Sequence, residues 1–476
     1  MKLLTNKDFF GTNKYWGAMF LIASILFYYL EILAATSAGK IFSLLLFLLI
    51  LYSLVRKTSF GIFILIATSF LVPEFPRDIL LSYDDISTGT AIYNTLSTVK
   101  VGLGTLLLSL ILMAAFICLI KTFRVNVYFV TIVVFTFIVL ITVTLQNYIF
   151  NEKHLNQSLL ISNIKFFIVF FSGVIIGKYL LLLKKSKSID YIFSILYLII
   201  SIISIRAVIY IFYDFAVAKN FSFDIQTKPL LAIPIMLFFV NYQNLILKGK
   251  SLIQIVSLFS VSRGEMLLML IILTFNSILS GAFFRKVLLK FLLLMPAVLV
   301  IIYFFNTSLF DFFFWKLSEL SITGGDKMSG SAIVRSVEIS NILCSHDSNI
   351  FNFIFGNGLS ATYNFNCVPL PGELVIDLKS YSQDQLDTGY YYSVHTFLGS
   401  NLLKYGLFGV LVYCFFPLFI AYRLITRFSL SKAEQLAVST IMLISIYFLH
   451  SRIEFQLLVG IFTSYAFFKG DCLDYR

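Results

Sequence analysis

Charge is what this chain has least of. Asp, Glu, Lys and Arg together make up 13% of its 476 residues, whereas a soluble protein carries about 25%. That scarcity excludes an ordinary soluble globular class, and with it any count of domains by soluble-core size. Apolar residues fill 59% of the chain and the mean hydropathy is +0.92. The apolar runs are continuous rather than alternating, which excludes a membrane β-barrel and predicts an integral α-helical membrane protein. Histidine and cysteine are also sparse, at 4 and 5 residues, and their spacing does not match a zinc site. No internal repeat or low-complexity tail is present. The net charge of +12 could suit a nucleic-acid partner. The basic residues lie in short clusters between apolar runs, however, and not on one basic, aromatic-bearing domain, which excludes nucleic acid.

The clusters set a topology. Lys2, Lys7 and Lys14 precede the first apolar run, 18–35, which carries Glu31 and leads straight into a second. It reads as an uncleaved first helix rather than a signal peptide, with the N-terminus in the cytoplasm. Further spans are predicted over 41–55, 60–72, 101–120, 127–145, 165–183 and 191–213, and another starts at Pro229. Residues 251–263 would make a helix of about 20 Å, short of a hydrocarbon core of about 30 Å. Arg263 is therefore expected inside the slab at the tip of a short or broken helix, where Gly264 lets the chain turn and 265–279 descends. A span over 287–305 leads into a polar stretch, 306–395, with Lys316, Lys327, Arg335 and Lys379 against nine Asp or Glu. The chain returns through 402–424 and closes with a hairpin, 434–450 and 454–468. The fold expected is an all-α polytopic membrane protein with about 12–14 transmembrane helices. Its parts are a helix bundle (1–305), one large outside loop with short helices (306–395) and C-terminal transmembrane helices (396–476), with both termini cytoplasmic.

The large loop is the place for chemistry, since ionisable groups are costly in lipid. Facing an oxidising compartment, Cys344 and Cys367 are candidates for a disulfide closing a loop of some two dozen residues, worth about 3 kcal/mol; the alternative is two free thiols. Arg263, in Val-Ser-Arg-Gly-Glu, needs an anionic partner. A phosphate suits its fork, and Glu265 or a snorkelling pose is the plainer reading. Arg335 lies on an amphipathic stretch that starts after Ser329, Gly330 and Ser331, where a surface pair with Glu338 at i+3 is the plainer reading. His395, where the chain re-enters the bilayer, suits a general base or hydrogen-bond donor, or simply an interfacial polar residue. Tyr381, Tyr390, Tyr391 and Tyr392 are candidates for stacking on sugar faces or for an interfacial belt. Arg206, Arg77 and Glu31 are second-rank candidates.

The order of these features carries a resemblance. An Arg in a Ser-Arg-Gly helix break is followed by a large outside loop with an Arg-bearing helix. Phe355, Gly356 and Gly358 come next, then His395 at re-entry, then Tyr405-Gly406-Leu407-Phe408-Gly409. Over roughly 233–416 this resembles the O-antigen polymerase and O-antigen ligase family of bacterial surface-polysaccharide enzymes. The closing hairpin with His450, Arg452 and Glu454 is similar too. The chain departs from the Arg-x10-Gly pattern of some polymerases: His346 stands at that spacing from Arg335, and Gly89 lies one residue too far from Arg77.

The resemblance implies a GT-C-like glycosyltransferase in the bacterial inner membrane with the large loop periplasmic. It implies a metal-independent, cofactor-free transfer of a glycan from undecaprenyl pyrophosphate to an acceptor sugar. Polymerases extend a lipid-linked repeat unit, and ligases attach the finished chain to lipid A-core. Arg263 and Arg335 would neutralise the pyrophosphate, with His395 at the acceptor hydroxyl and Arg206, Arg77, Tyr391 and Tyr392 in the substrate site. The partners implied are the lipid-linked oligosaccharide, the bilayer and a chain-length regulator. A reading of another class, a lipid-linked oligosaccharide transporter, predicts paired repeats and broken helices in both halves.

Overall fold

The computed structural model describes residues 37–71, 100–101, 104–122, 144–145, 157–183, 263–280, 330–346, 350–369, 383–392, 396–428, 432–448 and 453–468, with isolated positions between them. These residues are mostly helical. In chain order they form α1 (Ser37–Arg56), α2 (Thr58–Leu71), α3 (Leu106–Thr122), α4 (Gln157–Leu183), α5 (Arg263–Ser280) and α6 (Gly330–His346). The short α7 (Ile350–Phe355) and α8 (Gln383–Thr388) follow, then α9 (Phe397–Arg427), α10 (Lys432–Phe448) and α11 (Ile453–Phe468). One departure from an all-α chain is a two-residue antiparallel pairing, β1 (Lys100–Val101) with β2 (Gly104–Thr105), directly before α3. Thr105 ends it by capping α3, its Oγ1 accepting from Leu108 N at 3.3 Å.

Asn163–Leu182 and Phe397–Arg427 are long and apolar enough to cross a membrane. Burial divides these apolar helices lengthwise. On α9, Leu407, Phe408, Leu411, Val412, Phe415, Phe419 and Tyr422 form one exposed apolar stripe, while Ile420, Ala421, Leu424 and Ile425 face the core. On α1, Leu44, Leu45, Leu48, Leu49, Tyr52 and Val55 are exposed while Ile50 and Leu54 are buried. Polar side chains meanwhile lie between helices. Asn276 of α5 is fully buried, its Oδ1 3.1 Å from Ser439 Oγ of α10. Lys121 Nζ at the end of α3 donates to Thr58 Oγ1 at the start of α2, 2.6 Å away.

The closest helix pairing is α4 against α11, and small residues make it possible. A Cβ placed on Gly173 would collide with Leu457 O, one on Gly177 would lie 2.7 Å from Ile461 O, and one on Gly460 would collide with Phe170 O. With no side chains between them the backbones touch, and Ser464 Oγ donates to Val174 O across the seam. Gly173 and Gly177 are spaced four apart, the arrangement that lets apolar helices pack by backbone approach. Tyr465, Phe462 and Phe455 are buried around the crossing, and Phe455 meets Phe70 of α2 edge-on at 5.6 Å.

Gly460→Leu is accordingly expected to cost about 3 kcal/mol, the upper end of ordinary overpacking. Leu411→Ala, on the exposed stripe, is expected to cost less than about 0.5 kcal/mol. Thermal unfolding of the detergent-solubilised chain checks both; equal losses would contradict the crossing.

Candidate functional site

The site is built around a break in α9. Thr396 caps its start, with Oγ1 accepting from Gly399 N at 3.0 Å. The helix then runs only to Gly406, whose φ of 64° and ψ of −164° interrupt it. A break strands the carbonyls of the preceding turn, which must find donors elsewhere. Three groups from the stretch 346–358 supply them. His346 Nε2 lies 3.2 Å from Leu402 O. Asn357 N donates to Leu403 O at 2.9 Å, and Gly358 N to Lys404 O at 3.0 Å.

Glycine is required on both sides of this contact. Gly356 and Gly358 have φ of 82° and 89°, values that side chains disfavour. A Cβ on Gly356 would strike the Lys404–Tyr405 backbone, one on Gly406 would lie 2.5 Å from Gly356 N, and one on Gly358 would lie 2.8 Å from Thr144 Cα. The Phe-Gly-x-Gly and Tyr-Gly-Leu-Phe-Gly motifs, some fifty residues apart, are thus the two faces of one backbone contact.

A polar chain extends from it. Lys404, 7% exposed, donates from Nζ to Asn163 Oδ1 of α4 at 2.9 Å. Asn163, 3% exposed, donates from Nδ2 to Leu359 O, and Leu359 N donates to Thr144 Oγ1 at 3.0 Å. Among the described residues no carboxylate pairs with Lys404. Part of the compensation is the turn that ends at Gly406, because the C-terminal dipole of a helix favours a cation.

Beyond the break lies a second, small core: Ile342, Ala361, Tyr363, Leu402 and Leu403, with Phe365, Tyr391, Val394 and Val410 against it. Tyr363 and Tyr391 exchange both backbone hydrogen bonds at 2.8 Å, and the Phe365 and Tyr391 ring centres are 4.8 Å apart. Three anchors hold this core to α6. Tyr363 OH donates to the buried carboxylate of Glu338 at 3.1 Å. Asn341 Oδ1 accepts from Cys367 N and Val368 N at 3.2 and 3.0 Å, while its Nδ2 donates to Val368 O at 2.8 Å. Cys344 and Cys367 are disulfide-bonded.

The residues singled out from the sequence fall in different places. Arg335 is exposed on α6 and makes no hydrogen bond or ion pair among the described residues. Glu338 is buried rather than a surface partner for it. Tyr391 belongs to the small core, and Tyr392 is half-buried, with its N donating to Gln385 Oε1 of α8 at 2.9 Å. Arg263 is the first residue of α5, and Gly264 lies within that helix rather than turning the chain; residues 251–262, the short helix expected before it, lie outside the described residues. Among the described elements α5 packs chiefly on α10. His395, Arg206 and Arg77 lie outside the described residues. His346, where the Arg-x10-Gly pattern places glycine, is buried against α9. Sequence reasoning missed Lys404 and Asn163. A lysine inside the apolar run 402–424 was the available signal. Among the described residues no cluster of His, Cys, Asp or Glu could hold a metal ion. No family model, curated protein or solved structure matches the chain.

Two substitutions test the seat. Gly356→Ala is expected to cost about 3 kcal/mol or more, because a left-handed φ alone costs about 1–2 kcal/mol and the Cβ strikes backbone. Gly389→Ala, at φ 69° but with nothing within 4 Å, is expected to cost only about 1–2 kcal/mol. Thermal unfolding ranks the pair, and the reverse order would contradict the seat. Separately, removing the Cys344–Cys367 bond by reduction is expected to cost about 3 kcal/mol, read as a lower unfolding midpoint than that of the oxidised chain; an unchanged midpoint would contradict it.

Proposed function

We propose that this chain is a polytopic glycosyltransferase of the O-antigen polymerase kind, set in the bacterial inner membrane with its large loop in the periplasm and both termini in the cytoplasm. The observation that carries the reading is the contact between Gly356–Gly358 and the Gly406 break. Motifs that resemble that family only as scattered short stretches are joined in one unit, with the helix bearing Arg335 packed beside it. The exposed apolar stripes on α1 and α9 support lipid as the surrounding medium, since surfaces of that size are unusual on soluble monomers.

The chemistry assigned to the site is a displacement at an anomeric carbon. The hydroxyl of an acceptor repeat unit attacks the first sugar of a glycan held on undecaprenyl pyrophosphate. A new glycosidic C–O bond forms, the C–O bond to the pyrophosphate breaks, and undecaprenyl pyrophosphate leaves with the electron pair. Negative charge grows on the leaving oxygen, which fixed guanidinium groups stabilise. Arg335, exposed and without a partner among the described residues, is assigned that role, with Arg263 as the second cation. His395 is assigned the acceptor proton. Arg206, Arg77, Tyr391 and Tyr392 are assigned to the glycan and its lipid carrier. No metal or cofactor enters the scheme, because the pyrophosphate is already an activated leaving group. A chain-length regulator is the protein partner proposed.

Complementation of a null strain, read as a lipopolysaccharide ladder, tests this. The null strain is expected to show core with a single repeat unit. Arg335→Ala and His395→Ala, expressed at normal levels, are expected to leave it so, with Arg335→Lys restoring part of the ladder. Core with no repeat attached, while polymer accumulates on the carrier lipid, would indicate a ligase instead. Full ladders from both alanine variants would overturn the active site and favour a transporter.

A further inference from the structure

The end of the bundle away from the glycine contact carries a second arrangement of charge. Near the end of α9 the guanidinium of Arg423 sits over two rings, 4.8 Å from the centre of Phe467 and 5.6 Å from that of Phe419. Both rings are exposed. One turn further on, Arg427 Nη1 donates to Ala466 O, and Lys178 Nζ of α4 lies 5.3 Å from the Phe468 ring centre. Three cations from two helices therefore surround the last residues of α11. They outweigh the half-charge at the carbonyl end of α9. Arg423 makes two ring contacts, and its five N–H donors meet no acceptor among the described residues.

Its position along α9 matters as much as its donors. From Leu407, just past the break, to Arg423 the helix rises about 24 Å at 1.5 Å per residue, most of a hydrocarbon thickness of about 30 Å. The exposed stripe from Leu407 to Tyr422 fills that interval and stops at Arg423. If the stripe faces acyl chains, the guanidinium stands where they give way to headgroups, held there by rings that remain among the chains. A phosphodiester matches the guanidinium fork in charge and geometry.

We infer that Arg423, seated over Phe419 and Phe467 with Arg427 beside it, is a binding site for the phosphodiester headgroup of an anionic phospholipid. The inference rests on the membrane-spanning part of the proposed function and is independent of glycosyl transfer.

The test uses the full chain in uncharged detergent, titrated with phosphatidylglycerol, phosphatidylcholine or inorganic phosphate while its thermal unfolding midpoint is followed. Phosphatidylglycerol is expected to raise the midpoint well beyond phosphatidylcholine, and inorganic phosphate to leave it in place. Arg423→Gln is expected to weaken the apparent phosphatidylglycerol affinity about five-fold, the equivalent of about 1 kcal/mol for one cation at an anionic surface. Its midpoint without lipid should fall slightly, through the two lost ring contacts, so the affinity is read from the lipid-induced shift in each variant. Arg423→Lys, which keeps the charge and loses the fork, should fall between. A phosphatidylglycerol response equal to that of phosphatidylcholine, or undiminished in Arg423→Gln, would overturn the site. A shift reproduced by inorganic phosphate would overturn the lipid as its ligand. Full ladder loss or retention by the Arg335 variant bears only on the enzyme reading, so the two fail separately.

Discussion

A helix that breaks in apolar surroundings must give its stranded carbonyls to something. In this chain the break at Gly406 leaves Leu402, Leu403 and Lys404 to be capped, and the stretch from His346 to Gly358 caps all three. That requirement fixes much else. It forces glycine at 356, 358 and 406, because any Cβ there meets backbone or adopts a disfavoured φ. It brings the 356–359 turn against Thr144 and Asn163, which joins the outer core to α4. It also makes a helix C-terminus beside Lys404, where the local dipole lowers the cost of a buried ammonium. The break is thus a joint between two packed bodies, the long apolar helices and the small aromatic core around Tyr363.

Lys404 and Arg335 differ in what the fold does with them. Lys404 is turned inward and spends a donor on Asn163, so it serves to hold the joint. Arg335 is turned outward on α6, and the same helix buries Glu338 under Tyr363, which frees the guanidinium from the nearest carboxylate in sequence. A helix held by a disulfide, by Asn341 and by a tyrosine hydroxyl is a rigid mount for such a cation, which is what charge stabilisation in a transition state asks for. The proposed transferase gains most from this arrangement, since it depends on a fixed positive charge beside a lipid-facing surface.

Much of the helical framework was legible from apolar run length. Spans expected over 165–183, 402–424, 434–450 and 454–468 correspond to α4, α9, α10 and α11, displaced by several residues where capping or a polar first turn extends the helix. The amphipathic stretch after Ser331 is α6, and Arg263 is the first residue of α5, with Gly264 helical rather than at a turn. What run length could not convey was pairing. Gly173, Gly177 and Gly460 read as unremarkable members of apolar runs, because their role appears only when another backbone lies on them. Lys404 and Asn163 were passed over for a similar reason: one was absorbed into a span, and the other fell just before one. Glu338 looked like a surface partner of Arg335 because i+3 spacing shows neighbours on a helix, and says nothing of which face the tertiary structure covers.

The amides of Asn357 and Gly358 offer the most direct measurement. If the glycine stretch caps the broken helix, their N–H groups are buried donors to α9 carbonyls, and hydrogen–deuterium exchange in detergent should find them as slow as the amides of the helix itself. Exchange as fast as that of an unprotected amide would mean that the motifs do not meet and that the joint between the two packed bodies is absent.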